Sequence, residues 1–310
     1  MDGNDMIASL KGRAATALAG VLAVVCALGL GACSFTTPGL DEAEDAAVEQ
    51  VVDDGMLVQA GTLTVALDTV DAPQAMTISD GTLDGYAIDV ARALADRLGL
   101  DVAFVGSTSA EEALSSGSAD IYLGATTDDE SGAVVVHGEY LQNATALFAH
   151  GDADTTITAD DLAAGTVGAQ DGSSSQEALA QVGIVASNTY LNVNECFEAL
   201  AAGEVDYVVC DVTAGAYLSR SYDDVFFAGI LSTPVSYGIG YAADATDLAD
   251  EVATAFDEMS TDGTLDAIHA LWYGTVPLSV SDSLVSGVTA AEAPAEGDGE
   301  QVEGDMNSID

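Results

Sequence analysis

The chain has 310 residues, with 52 Asp and Glu against 5 Lys and Arg, for a formal net charge of −47. About half of it, 49%, is apolar, so a buried core is affordable and wholesale disorder is excluded despite the charge. Nucleic acid is excluded as a partner, because a phosphate backbone needs a basic footprint and no Lys or Arg lies between Arg97 and Arg220; an anionic membrane surface is excluded as an electrostatic partner on the same ground. The acidity is read as a trait of habitat, salt or proteases that need Lys or Arg, and not as evidence about a ligand.

In chain order, Lys11 and Arg13 precede an uncharged run from Ala14 to Ala32 whose apolar core has the form of an export signal. Its length also suits a membrane span. The end of the run decides between the two: Leu30-Gly31-Ala32-Cys33 resembles a bacterial lipobox, in which the Cys is lipidated and becomes the first mature residue. An uncleaved anchor is the alternative, weakened by the lack of a following basic cluster. Residues 1–32 are therefore expected to be a lipoprotein signal peptide. Residues 33–57 are expected to be a flexible acidic tether.

The folded part alternates short apolar runs with helix-period segments. Leu63 to Leu67, Val102 to Val105 and Ile121 to Leu123 read as strands. Tyr86 to Leu98 reads as a helix with Ile88, Ala91, Ala95 and Leu98 on one face and Gly99 as its stop. Ala110 to Leu114 is a short helix. The pattern then repeats, with a helix from Thr158, a strand at Thr166 to Ala169, and a helix opened by the capping box Ser173 to Gln176. The apolar pair Ile184-Val185 follows, then a Cys196 helix ended by Gly203, a strand at Val205 to Cys210 and a helix after Asp211. A strand at Tyr237 to Tyr241 and two helices, bearing Leu248 to Met259 and Leu265 to Trp272, close the fold. Alternation of this kind gives α/β architecture with largely parallel sheets, and two similar rounds suggest two lobes. The end of the chain, rich in acids and without a base or an aromatic, is expected to be disordered.

Cys26 leaves with the signal and Cys33 is the lipid site, so Cys196 and Cys210 remain as an even pair. If Cys196 opens its helix and Cys210 closes the next strand, the antiparallel run of the two elements brings them close. A disulfide is then expected, contributing about 3 kcal/mol in the chain-entropy model; two buried thiols are the alternative. A metal site is not expected, because His137, His150 and His269 do not cluster with the cysteines. No cofactor is expected.

Five stretches taken in order resemble the family 3 bacterial extracellular solute-binding proteins, the lipoproteins that deliver amino acids to ABC importers. They are Leu63 to Asp68, Gly81 to Gly99, Asp161 to Ser174, Glu198 to Asp211 and Thr261 to Gly274. The resemblance covers about Thr62 to Gly274. It implies a two-lobed periplasmic-binding-protein-like fold of type II, each lobe a mostly parallel sheet flanked by helices, with two hinge strands near Ala144–His150 and Leu231–Gly240. The implied division is residues 58–144 and 236–275 in lobe 1, 145–235 in lobe 2, and 276–310 as the acidic tail. Ligand is expected in the cleft, with the lobes closing upon it.

The family's site survives only in part. Its carboxylate-gripping Arg would align at Ser131 or Gly132, and its aromatic clamp is replaced by a loop carrying Asp71 and Gln74. Ser173 and Ser174, at a helix N-terminus, are kept as donors to an anionic or carbonyl oxygen, although simple capping explains them too. Asp211 stands where the family Asp takes the ligand ammonium, and it also suits an N-cap. The expected ligand-binding set is Asp71, Gln74, Tyr86, Thr126, Thr127, Ser173, Ser174 and Asp211, with Tyr86 packing beneath the site. Asp71 also reads as an ordinary exposed loop acid. A cleft that has lost its cation and gained a carboxylate implies a cationic or amine-bearing solute, such as a small peptide or polyamine, held between Asp71 and Asp211.

The resemblance further implies an ABC permease as partner, an extracytoplasmic location on the membrane through Cys33, and a monomer. A surface sensor or adhesion and interaction module reusing the fold is the second reading. A dehydratase-like enzyme using Asp71 and Asp211 is the third, opposed by the missing cation for an anionic substrate and by the absence of hydrolase, zincin or nucleotide-binding motifs.

Overall fold

The computed structural model describes residues 48–79 and 81–293. Cys33 and the expected signal peptide lie outside the described residues. In chain order the elements are β1 (Thr62–Leu67), β2 (Met76–Thr77), β3 (Leu83–Asp84), α1 (Tyr86–Leu98), β4 (Asp101–Gly106), α2 (Ala110–Ser115), β5 (Ile121–Ala125) and β6 (Val134–Asn143). Then come β7 (Thr145–His150), α3 (Ala159–Ala164), β8 (Val167–Gln170), α4 (Ser174–Gln181), β9 (Asn188–Tyr190), α5 (Val193–Ala201), β10 (Tyr207–Asp211), α6 (Val212–Ser219) and β11 (Val225–Ile230). The chain returns through β12 (Val235–Ala242), α7 (Thr246–Asp262) and α8 (Thr264–Tyr273).

Two five-stranded sheets result, ordered β4-β1-β5-β12-β6 and β11-β7-β10-β8-β9. In the first, β1 runs parallel to β4 and β5, whereas β12 is antiparallel to β5 and β6. In the second, β8 is parallel to β9 and β10, and β7 is antiparallel to β10 and β11. Each sheet with its helices is one α/β lobe. The chain crosses between them twice, at Ala144 between β6 and β7 and over residues 231–234 between β11 and β12. The crossings are bonded to each other: Thr145 N–H donates to Ser232 Oγ at 2.9 Å and Leu231 N–H to the Thr145 carbonyl at 2.8 Å.

Sequence periodicity explains why α1 forms where it does. Ile88, Val90, Ala91, Leu94, Ala95 and Leu98 are all buried on one face, and each large aliphatic side chain contributes roughly 1.5–3 kcal/mol by leaving water. Gly99 ends the helix with φ of 69°, a left-handed conformation that leaves space for the backbone of Val48 to Gln50.

Two segments differ from expectation. Residues 48–57, assigned to a flexible tether, lie on lobe 1: Val52 is buried and Val51 N–H donates to the Leu98 carbonyl at 3.1 Å. Residues 276–293, assigned to a disordered tail, form a strap. Gln142 Oε1, at the end of β6, accepts from Ser279 Oγ, Val280 N and Ser281 Oγ at 3.0, 2.9 and 3.0 Å. The strap then bridges lobe 2 at Leu284 with Ile230, Ser286 with Thr158, and Ala291 with Ser232. Val276, Val280, Val285 and Ala291 are buried. Spaced apolar residues and polar anchors hold it, despite its lack of helical or strand period.

The expected disulfide is also corrected. Cys196 and Cys210 are buried thiols and not a bridge. The helix starts at Val193 rather than at Cys196, so Cys196 sits a turn inside and its Sγ turns back to the Asn192 carbonyl at 3.4 Å. Cys210 Sγ packs towards Gly215 of α6.

Candidate functional site

Parallel strands gather their carboxyl ends at one edge of each sheet, where ligands of open α/β folds bind. In lobe 1, β1 and β5 align Ala66 with Tyr122, so the loops after them, 68–75 and 126–132, stand side by side. They bring Asp71 and Gln74 to the same edge as Thr126 and Thr127. In lobe 2, β8 and β10 align Ala169 with Val209, which places Ser173 and Ser174 beside Asp211.

The capping readings hold for several of these residues. Ser173 Oγ accepts from Gln176 N at 3.1 Å and donates to the Gln170 carbonyl at 2.9 Å. Thr126 caps the short turn of residues 127–129 in a reciprocal box with Asp129. Thr127 is exposed and Ser174 half-buried. Asp211 differs: it holds the N-cap position of α6 without a side-chain capping bond. It is half-buried, and its backbone pairs with Thr145 beside the crossing.

No cation replaces the missing Arg. Ser131 Oγ accepts from Ala133 N and Val134 N at 3.1 and 3.2 Å, closing a turn. Arg92 bonds Asp89 and the Leu83 carbonyl, Arg97 pairs with Glu258 and Asp262, and Arg220 donates to the Trp272 carbonyl.

Asp71 is reachable by solvent, yet enough protein surrounds it to push its carboxyl up to about 6, burial acting first and the charge of Asp68 second. The loop is fixed from below. Pro73 and Gln74 carbonyls accept from Tyr86 N and Ala87 N, both at 3.0 Å, satisfying first-turn donors of α1. Tyr86 is fully buried, and its hydroxyl donates to the Tyr140 carbonyl at 2.7 Å. Its ring centroid lies 5.0 Å from that of Tyr273, 6.0 Å from Tyr140 and 5.9 Å from His269.

Two buried polar groups near this loop are unsatisfied. Gln74 is 7% exposed and neither amide atom has a hydrogen-bond partner among the described residues. Tyr273 is 2% exposed and its hydroxyl has none either; burial first, then Tyr86 and Asp71, push that hydroxyl's pKa far up. Tyr140 is influenced by Asp71 as well. The sequence reading did not single out Tyr140 and Tyr273, whose rings pack on Tyr86. The available signal was a phenol on the buried face of the last helix, where Phe would pack without a hydroxyl to satisfy. A cavity of about 410 Å³ between β6, β12 and α7 contains none of the expected site residues. Among the described residues no group of His, Cys, Asp and Glu is arranged to hold a metal, and no helix is long and apolar enough to cross a membrane.

The family model for bacterial extracellular solute-binding proteins, family 3, matches residues 63–275. The L-cystine-binding protein TcyJ of Escherichia coli (strain K12) is 28% identical over 265 residues, 83% of this chain and 95% of that protein. Among solved structures, an ancestral cationic amino acid solute-binding protein is 27% identical with a TM-score of 0.58, covering 69% of this chain and 96% of its own. A polar amino acid ABC uptake transporter substrate-binding protein from Streptococcus thermophilus has a TM-score of 0.63 at 22% identity, covering 74% of this chain and 91% of its own, and speaks to the fold alone.

Proposed function

The chain belongs to the bacterial extracellular solute-binding proteins, family 3, and from that premise we propose that it is the extracytoplasmic solute-binding component of an ABC importer whose cleft takes a small amine-bearing or cationic solute. Lobe 1 is residues 58–144 with 236–275 and lobe 2 is 145–235. The chain is held at the membrane through a lipidated Cys33, works as a monomer and hands its solute to a permease.

The observation that carries the charge preference is the fate of the three Arg in the described residues. Arg92 and Arg97 are bonded to carboxylates, and Arg220 to the Trp272 carbonyl. What the loops at the carboxyl ends of the strands offer is acids, Asp68, Asp71, Asp128, Asp129, Glu130, Asp171 and Asp211 among them. An α-carboxylate entering such a site meets repulsion and no bidentate partner. An ammonium entering it neutralises charge, and Asp211, at the end of β10, is the group on lobe 2 that receives it. The Ser173 and Ser174 turn supplies backbone donors for a carbonyl or hydroxyl of the solute.

The test is calorimetric titration of the full chain with 1,4-diaminobutane, L-lysine, L-glutamine and L-glutamate. Saturable binding of at least one cation, weakened 30-fold or more by Asp211→Asn, is expected, since a hydrogen bond to a charged partner is worth about 2 kcal/mol. Binding of L-glutamate at least as tight as that of every cation would refute the charge preference.

A further inference from the structure

The strap of residues 276–293 begins where the family match ends, at residue 275, and it joins the two lobes a third time. On lobe 1 its hold is Gln142 Oε1, which accepts from Ser279 Oγ, Val280 N and Ser281 Oγ. On lobe 2 its hold is β11 and the start of α3. Ile230 N–H donates to the Ser283 carbonyl at 2.9 Å, Val285 N–H donates to the Ile230 carbonyl at 3.0 Å, and Ala159 N–H donates to the Ser286 carbonyl at 2.9 Å. Val285 is buried in one cluster with Leu147, Leu179 and Val209 of lobe 2. The seat is built into β11: a Cβ on Gly229 would lie 2.6 Å from the Ser283 carbonyl oxygen.

The span between the two holds is short. Ser281 is the last residue bonded to Gln142 and Ser283 the first bonded to β11. Asp282 alone lies between them, so the Cα atoms of Ser281 and Ser283 are at most about 7 Å apart. Such a span has no slack. The far end of the strap then reaches the second crossing, residues 231–234. Ala291 N–H donates to the Leu231 carbonyl at 2.8 Å, and the Ala291 carbonyl accepts from Thr233 N–H at 3.0 Å. The N–H of Leu231 is already given to the Thr145 carbonyl of the first crossing. The second crossing is therefore bonded on one side to the first crossing and on the other to the strap.

We propose that residues 279–292 are a third hinge segment, so that the lobes turn about three bonded segments rather than two and the crossings part only when the strap leaves β11. Hinge motion is carried by a few residues that absorb the change in φ and ψ. Here Leu231 and Thr233 are bonded to Ala291, and the strap sets how often they are free to move. The inference concerns the movement of the lobes and does not depend on which solute the cleft takes.

The experiment is hydrogen exchange of the ligand-free full chain, wild type against a variant with Gly-Ser-Gly-Ser-Gly-Ser inserted between Asp282 and Ser283. The insertion keeps the bonds at both holds and makes the span about four times as long, which makes its closure about eightfold less favourable. The readout is the Thr145 and Leu231 amides, whose bonds join the two crossings and involve no strap residue. Their exchange should quicken about eightfold, while the Val65 and Val209 amides, inside the two sheets, stay within twofold of wild type. Ala291→Pro, which removes the donor to Leu231 and leaves the span alone, should quicken the same two amides by at least as much. Wild-type exchange of Thr145 and Leu231 in either variant would overturn the third hinge segment. A rise of equal size at Val65 and Val209 would overturn it too, since the strap would then add only to overall stability.

Discussion

Replacing Gln142 by Met tests whether the strap of residues 276–293 is part of the fold. Gln142 is 8% exposed and its Oε1 accepts three hydrogen bonds, from Ser279 Oγ, Val280 N and Ser281 Oγ. Methionine keeps the length and apolar volume but removes the acceptor. The two serine hydroxyls are part-exposed and turn to water at little cost. The Val280 N–H sits in a buried bond and cannot, so the loss is dominated by one stranded donor, about 1–3 kcal/mol. With a smaller share for the weaker bond from Gln142 Nε2 to Ser236 Oγ at 3.3 Å, the expected destabilisation is about 2–3 kcal/mol. That lowers the melting midpoint by roughly 4–10 °C for a domain of this size. The assay is scanning calorimetry, with hydrogen exchange read at Val280, Val285 and Ala291. A shift under 1 °C with unchanged protection at Val280 would refute the strap as a structural element.

Other consequences follow from the loop that carries Asp71. Gly85 has φ of 144°, and a Cβ there would lie 2.2 Å from the Gln74 carbonyl oxygen; Gly85→Ala should therefore displace the 71–76 loop, weaken cation binding at least tenfold by titration, and lower stability by about 3 kcal/mol or more. Because the Asp71 carboxyl is raised to about 6, its ionised form is lost as pH falls through that value, so cation affinity should drop between pH 7 and 5 and Asp71→Asn should flatten the profile. A raised folded pKa also means that the stabilising contribution is present at low pH and lost as pH rises through about 6; Asp71→Asn should accordingly raise the melting midpoint of the ligand-free protein at pH 7.5 while weakening binding. His269 is held neutral by burial, its pKa pushed down, with Nε2 against the Val276 carbonyl at 2.8 Å. Its contribution is complete above the unfolded value of 6.5 and declines as pH falls below it, so His269→Gln should reduce the loss of stability in urea between pH 7 and 5.

Much of the fold was legible because local signals agreed. The helix at Tyr86 to Leu98 combined a one-sided apolar face with a glycine stop, and it appears with those bounds. Capping residues at Thr158 and Ser173 marked two more helices. The long strand β6 opens on Val134-Val135-Val136, but His137, Gly138 and Glu139 interrupt the apolar run in mid-strand, and its partner β12 lies about a hundred residues away. Residues 184–186, an apolar pair followed by alanine, form no strand, and the pairing passes to Asn188–Tyr190. The strap was illegible because its anchor, Gln142, is distant in sequence and its composition is that of a loop.

The places of Asp71 and Asp211 were legible because each stands at or after the end of a strand. The second uses of other side chains were less so: the Ser173 and Thr126 hydroxyls cap turns, and the Tyr86 hydroxyl bonds the Tyr140 carbonyl. The cysteine pair shows how a helix boundary controls such inferences. An error of three residues in the start of α5 moved Cys196 from the helix mouth to its first turn and suggested a bridge that the fold does not make.

The claim that everything else depends on is that the cleft selects positive charge. It is tested most directly by the thermal unfolding of the full chain, at moderate salt, against a series of small solutes of equal size that carry two, one, zero or negative net charge. A ligand at 100 times its dissociation constant adds about 2.7 kcal/mol, a shift of roughly 5–10 °C. The account predicts a saturable shift of that order with the cations, cut to about a third or less by Asp211→Asn. A saturable shift with an acidic or neutral amino acid, and none with any cation, would contradict it.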